Sequence, residues 1–287
     1  MEIRAKKNPI ISKQGVCDPH VHIFNNRAYL YASHDVIDRP IEGDFFMMRD
    51  WEIWSSDDLV TWKKESVVSP EDTPMGTSNI CWAVDAAEKN GKYYLYYHAT
   101  GAGHSYRIGV AVADNPLGPF APHSKGVVTP EEWECLDGTL YLNRDGKPYI
   151  VFCHEHTQII DGTICYVPLN DDLTESIGEA VTLFKASSPY WADKSKNENE
   201  HRITDGPFMY RTKSGELLML WSTFIKGKYA ECVVKFTDGE LGLDFEHLPP
   251  ILDDDGGHGM IFKSDDKLYL TFHSPNTKNY ERPCFTE

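Results

Sequence analysis

Along the 287 residues, apolar and aromatic positions alternate in short runs set off by polar turns, and one such run occurs five times. The copies read RAYLYAS from Arg27, KYYLYYH from Lys92, KPYIVFC from Lys147, ELLMLWS from Glu216 and KLYLTFH from Lys267. A period of two is the signature of a half-buried β-strand, and the Gly, Asp and Asn between runs suit hairpins. Steps of 65, 55, 69 and 51 residues between copies are the spacing of propeller blades. Further strand-like runs follow the copies, among them DWEIWSSDDLVTW, RIGVAVADNPLGPF, TICYVPLNDDL and YAECVVKFTDGELG, and amphipathic helical patterns are nearly absent. The pattern predicts an all-β, five-bladed β-propeller occupying residues 1–287 as one domain. The fifth copy lies too near the C-terminus to finish a four-stranded blade. The segment Pro9-Ile10-Ile11 is therefore expected to pair with that blade and close the ring, which removes two exposed sheet edges.

One polar residue precedes each copy. These are Asp18, Asp85, Asp137, Asp205 and His258, at 9, 7, 10, 11 and 9 residues upstream. In a propeller the first strands of all blades surround one axis, so equivalent positions meet there. Four buried carboxylates without a basic residue at the equivalent places cannot all be ionised cheaply, and at least one pKa should rise. A metal site, a hydrogen-bonded plug and acid–base chemistry on a neutral substrate all fit such a ring. Two carboxyl groups with divided roles are the usual machinery of glycoside hydrolysis.

Composition narrows the substrate. The net charge of −16 opposes nucleic acid and anionic membranes, which need basic patches. The 15 Tyr and 7 Trp suit β-structure and sugar-facing surfaces alike. The seven cysteines are scattered without CxxC spacing and read as reduced thiols of a cytoplasmic protein. The N-terminal residues lack an apolar stretch of signal-peptide length.

The chain resembles glycoside hydrolase family 43 over nearly its whole length. The resemblance rests on CDPHVHIFNNRAYLYASHD, WEIWSSDDLVTW, CWAVDAAEKNGKYYLYY, TDGPFMYRTKSGELLMLWS and GGHGMIF in that order. It implies a five-bladed propeller and an inverting enzyme that releases terminal α-L-arabinofuranosyl or β-D-xylosyl residues from plant-cell-wall oligosaccharides. An endo-arabinanase, a galactosidase and a non-catalytic carbohydrate-binding propeller are the rival readings. Carried over residue by residue, Asp18 is the general base, Asp85 the carboxylate that tunes and orients the acid, and Asp205 the general acid. Asp137 is then structural. The resemblance also places His258 beside a calcium or sodium ion in the central channel, and it implies no organic cofactor. The family's acid is normally Glu before Gly-Pro, whereas this chain has Asp205, so Glu155 and Glu200 are substitute acids to consider. Trp82, Phe45, His154, Glu155 and Arg202 are expected to contact the sugar, with Trp51, Trp191 and His273 as weaker candidates. The interruptions at 34–50 and 187–203 are expected to wall the pocket.

Overall fold

The computed structural model describes residues 8–35, 46–73, 80–101, 104–193 and 199–287, with the side chains of 99–105 left aside. The described residues form five antiparallel sheets, each strand pairing with its sequence neighbour. The first blade holds β1 (Gly15–Phe24), β2 (Arg27–Asp35), β3 (Met48–Ser56) and β4 (Lys63–Val68). The second holds β5 (Val84–Lys89), β6 (Lys92–Gly101), β7 (His104–Ala113) and β8 (Ala121–Pro122). The third holds β9 (Cys135–Leu142), β10 (Pro148–His154), β11 (Thr163–Pro168) and β12 (Val181–Lys185), with the one-turn helix α1 (His156–Ile159) after β10. The fourth holds β13 (Asp205–Arg211), β14 (Leu217–Ile225), β15 (Lys228–Phe236) and β16 (Phe245–His247). The fifth has three strands, β17 (Ile261–Ser264), β18 (Lys267–His273) and β19 (Pro283–Thr286). Each repeated run is the second strand of its blade. The architecture is the five-bladed β-propeller that the repeat predicts.

The turns explain the hairpins. Asn25-Asn26 lies between β1 and β2 with both φ angles positive, and Asn90-Gly91 does the same between β5 and β6. A two-residue turn with that backbone twist matches the twist of the strands it joins.

The second strands are apolar at successive positions, so each sheet has two apolar faces, and the faces bury against neighbouring blades. Tyr31 and Ile53 of the first blade pack with Leu95 and Tyr97 of the second. Tyr96 and Ile108 pack with Ile150 and Phe152 of the third, and Val151 and Ile164 with Met219 and Trp221 of the fourth. Leu220 packs with Leu270 and Phe272 of the fifth, and Met260 and Phe262 with Val21 and Leu30 of the first. The last joint also receives Ile11, with Ile10 and Phe285 at its edge. The Ile10 N–H donates to Pro283 O of β19 at 2.8 Å. The N-terminal segment thus lies against the fifth blade as expected, but as an irregular strap held by this backbone bond and apolar packing. Pro9 has no N–H to extend a ladder.

Because blades cohere only through such joints, a void in one should be felt. Leu220 is fully buried at the joint with the three-stranded blade. Leu220→Ala is expected to lower unfolding free energy by about 3 kcal/mol, read by urea titration, from lost transfer energy and the cavity left behind.

Candidate active site

Four of the five axial residues share a local device. In β1, three steps from Cys17 to His20 face two steps from Ser33 to Tyr31 on β2. The same three-against-two mismatch occurs from Leu136 to Thr139 on β9 and from Asp205 to Phe208 on β13, and around His258 four steps from Gly257 to Ile261 face three from His273 to Leu270. Such bulges re-aim a side chain out of the regular alternation. They put Asp18, Asp137 and His258 at φ of 52°, 58° and 53°, and Gly206, after Asp205, at 53°. Gly206 must be glycine twice over, since a Cβ there would also stand 2.8 Å from the His258 ring.

The second blade lacks the device. The β5–β6 ladder runs unbroken from Val84↔Tyr97 to Lys89↔Lys92. Asp85 therefore keeps ordinary alternation and turns sideways, outside the cavity. Its Oδ1 accepts from His20 Nδ1, His22 Nε2 and the Ala86 N–H, each at 2.8 Å. Burial opposes its charge, but the two imidazoles outweigh burial and hold the carboxyl well below the usual range. The expectation that Asp85 tunes the acid is corrected by this geometry. The warning lay in the spacing: Asp85 stands 7 residues before its copy, whereas the others stand 9 to 11 before theirs. Ala83 occupies the nine-residue position, and its N–H donates to Asp18 Oδ2 at 3.3 Å. Asp85→Asn should lower the melting temperature while kcat of the folded protein stays within about twofold, read by calorimetry and steady-state assay.

Asp18, Asp137, Asp205 and His258 meet at the floor of a cavity of ≈ 300 Å³. Asp18 Oδ2 accepts from Ser33 Oγ at 2.6 Å. Its Oδ1 faces His258 Nδ1 at 3.2 Å and His273 Nδ1 at 3.3 Å. Burial alone would raise its pKa, yet His258 and His273 draw it far below the usual carboxylate range. Asp18 is therefore ionised. Asp205 has the opposite setting. Burial and then the Glu155 charge push it up to about 7, against the Tyr229 hydroxyl that donates to its Oδ2 at 2.9 Å. Asp137 accepts the Gly206 N–H at 2.8 Å, and burial followed by repulsion from Asp205 and Asp18 raises its pKa as well. Burial thus favours the protonated form of both Asp137 and Asp205. Sequence reasoning took Asp137 for structure, although its ten-residue spacing already matched its neighbours.

The remaining candidates divide. Trp82 lines the cavity, with Nε1 donating to Phe46 O at 2.8 Å and its ring stacked 5.6 Å from Tyr106. Glu155 lines it too, capping α1 and paired with His156 Nε2 at 2.8 Å. His154 points away from it, stacked on Trp133 at 4.2 Å and bonded to Gln158. Arg202 lines a separate void of ≈ 30 Å³ that shares Ile203 and Phe224 with the main cavity, and its Nη1 donates to Asp193 O. Glu200 is exposed and is not among the cavity residues, which rules it out as a substitute acid in this geometry. Trp51 is fully buried between blades and Trp191 stacks on Trp221, so neither lines the cavity. Phe45 lies outside the described residues; from the two interruptions, Phe46, Met48 and Ile203 do line the cavity. Tyr106, Tyr229, His273 and Glu281 complete the polar rim, and of these only His273 stood out in the sequence.

A family model described as "Glycosyl hydrolases family 43" matches residues 6–285. The chain belongs to glycosyl hydrolases family 43. Among its relatives, a "Xylosidase/arabinosidase" of Bacteroides ovatus is 33% identical over 151 residues, 49% of this chain and 46% of that protein. A "Xylosidase/arabinosidase 43A" of Humicola insolens is 36% identical over 151 residues, 50% of this chain and 45% of that one. The chain thus spans about half the length of the curated relatives it matches. Among solved structures, an endo-arabinase from Bacteroides thetaiotaomicron VPI-5482 superposes with a TM-score of 0.83 at 33% identity, covering 97% of this chain and 95% of that one.

An ion beside His258, as family 43 resemblance implies, is not matched by the donors at hand. Its Nδ1 faces Asp18 and, at 3.9 Å, Asp137, and its nearest aromatic neighbours are the imidazoles of His20 and His273. The buried Nε2 of His20 lacks a hydrogen-bond partner. This set is rich in nitrogen, whereas calcium takes six to eight oxygens. Among the described residues, the clusters close enough to hold a metal are His20–His22–Asp85 and His34–Asp50–Glu52, and neither contains His258.

Proposed function

We propose that this propeller is a single catalytic domain that hydrolyses glycosidic bonds with inversion, releasing terminal α-L-arabinofuranosyl or β-D-xylosyl residues from plant-cell-wall oligosaccharides. The observation that carries the reading is the split between two carboxyl groups of one cavity, Asp18 ionised and Asp205 pushed up to about 7. A base and an acid poised in one site are what a single displacement needs. Asp18 takes a proton from water as its oxygen attacks the anomeric carbon. Asp205 gives its proton to the departing oxygen as the glycosidic bond breaks. Asp137 takes over the orienting part of the role assigned earlier to Asp85, holding the Asp205 segment through the Gly206 N–H.

The walls suit a sugar ring. Trp82 and Tyr106 offer aromatic faces to its C–H groups, while Leu136, Ile203 and Phe224 exclude water. Relatives named xylosidase/arabinosidase support the choice of pentose. An endo-arabinanase is the second reading, favoured by the likeness to the endo-arabinase structure. The chemistry requires no organic cofactor, and the substrate is the only partner invoked.

Release of 4-nitrophenol from the α-L-arabinofuranoside or the β-D-xyloside, alongside debranched linear arabinan, tests the reading. Monosaccharide release supports exo action, and mid-length arabinan fragments would favour the endo reading. Loss of hydrolysis on all three would sink both. The alkaline limb supplies a sharper check. Asp205 must be protonated to work, so kcat should fall as pH rises through about 7.

A further inference from the structure

His273 is not accounted for by this mechanism, and its setting is unusual. It ends β18 at the inner end of the three-stranded blade and is 2% exposed. Its ring has carboxylates on both sides. Nδ1 stands 3.3 Å from Asp18 Oδ1 and 3.3 Å from the Asp18 backbone N, whose N–H points at it, and Nε2 stands 3.4 Å from Glu281 Oε1 and 3.1 Å from Asn276 Oδ1. The ring lies parallel to Tyr229 at 5.3 Å, and Tyr229 in turn bonds Asp205. Glu281 is itself fixed from behind, because Asp35 Oδ2 accepts its backbone N–H at 3.2 Å and Asp35 Oδ1 that of Asn279 at 2.9 Å.

Histidine ends two of the five second-strand runs, and the other one behaves differently. His98, at the matching place in the second blade, has no carboxylate partner, and burial draws it down to about 3. Burial opposes charge on His273 too, but Glu281 and Asp18 prevail and push it up to about 9. The other titratable groups around it are His258, at 6.2 Å between ring centroids, the phenol of Tyr229 and the more distant carboxyl of Glu231.

We propose that His273, braced by Glu281, is a positioning residue for Asp18, its Nδ1 holding that residue at the backbone N–H and at Oδ1. The proposal rests on Asp18 being the group that activates water. A carboxylate free to rotate about its last bond would offer water a poor angle for much of the time. Ser33 holds Oδ2, and His273 stands with His258 against Oδ1. Glu281 keeps the imidazole from turning its ring away. Glu281 touches Cys17 on its far side, so the brace is anchored in the same strand that carries the base.

Two substitutions separate this from a role in merely tying down residues 274–282. In His273→Asn the amide nitrogen falls where Nδ1 was and still reaches Asp18, while the reach to Glu281 is lost. In His273→Gln the amide falls where Nε2 was, so Glu281 is kept and Asp18 is released. Positioning of the base predicts that His273→Gln loses about 100-fold in kcat with KM within about twofold, and that His273→Asn loses about tenfold less. Near-equal losses, or a worse result for Asn, would overturn the proposal. Burial pushes Glu281 itself up to about 8 against the pull of His273, so the two share a proton; should neither variant fold, Glu281→Gln keeps the shape of the brace and removes the group that shares it. It is expected to cost about tenfold in kcat at constant KM, and an unchanged kcat overturns the proposal. Asp18→Asn run beside them separates the two readings: if it stays active, the assignment of the base has failed, whereas a dead Asp18→Asn beside a fully active His273→Gln rejects His273 alone.

Discussion

Asp205→Asn should lose about 10³-fold in kcat/KM on an unactivated disaccharide and no more than about tenfold on an aryl glycoside with a good leaving group. The difference follows from what the acid does. A sugar alkoxide is a poor leaving group and needs a proton as the bond breaks, whereas a nitrophenolate departs largely unaided. Binding is shared by both substrates, so damage to the pocket would lower both rates together. The variant should also lose the fall of kcat above about pH 7, because the group that titrates there is gone. The same two substrates decide between Asp205 and Glu155. Glu155 shares the cavity and its charge is the largest electrostatic push on Asp205, but it is engaged with His156 and caps α1. If Glu155→Gln shows the leaving-group pattern and Asp205→Asn does not, the acid has moved to α1 in this chain. If neither shows it, the glycosidase reading fails.

What the sequence reveals, and what it hides, follows from the range of the forces involved. The five blades were legible because each is built from local alternation and a turn, and turns such as Asn90-Gly91 are written in adjacent residues. The axial position of Asp18, Asp205 and His258 was legible for the same reason, as each stands at a repeat spacing from its own strand. Asp85 was misread because a bulge is a property of two strands at once. Only the pairing of β5 with β6 reveals that the second blade has none, and only then does Asp85 belong with His20 and His22. Asp137 was undervalued by the same blindness, since its link to the acid runs through the Gly206 N–H of the next blade. The electrostatic partners Tyr229, Glu281 and Glu155 come from three blades and had no local signal. The Trp residues were ambiguous in sequence because Trp51, Trp82 and Trp191 have the same side chain, and burial alone separates the interblade Trp51 from the cavity-lining Trp82.

Asp18→Asn should be the most damaging single change, with hydrolysis of activated and unactivated substrates falling alike by about 10⁴-fold, the upper end of what a positioned base contributes. The insensitivity to leaving group is the counterpart of the Asp205 pattern. Water must lose its proton whatever it displaces, so a good leaving group cannot rescue the variant. Folding should survive, because the amide oxygen of Asn can still accept from Ser33 and the Ala83 N–H. A small anion that needs no base should rescue it. Azide attacks without giving up a proton, and the neutral Asn no longer repels it while His273 attracts it. The expected product is a glycosyl azide of configuration opposite to the substrate, formed while Asp205 still protonates the leaving oxygen. A glycosyl azide of retained configuration would mean two displacements and a covalent intermediate, overturning the single-step mechanism. Hydrolysis near the wild-type rate would remove Asp18 from the role of base and with it the division of labour between the two carboxyl groups.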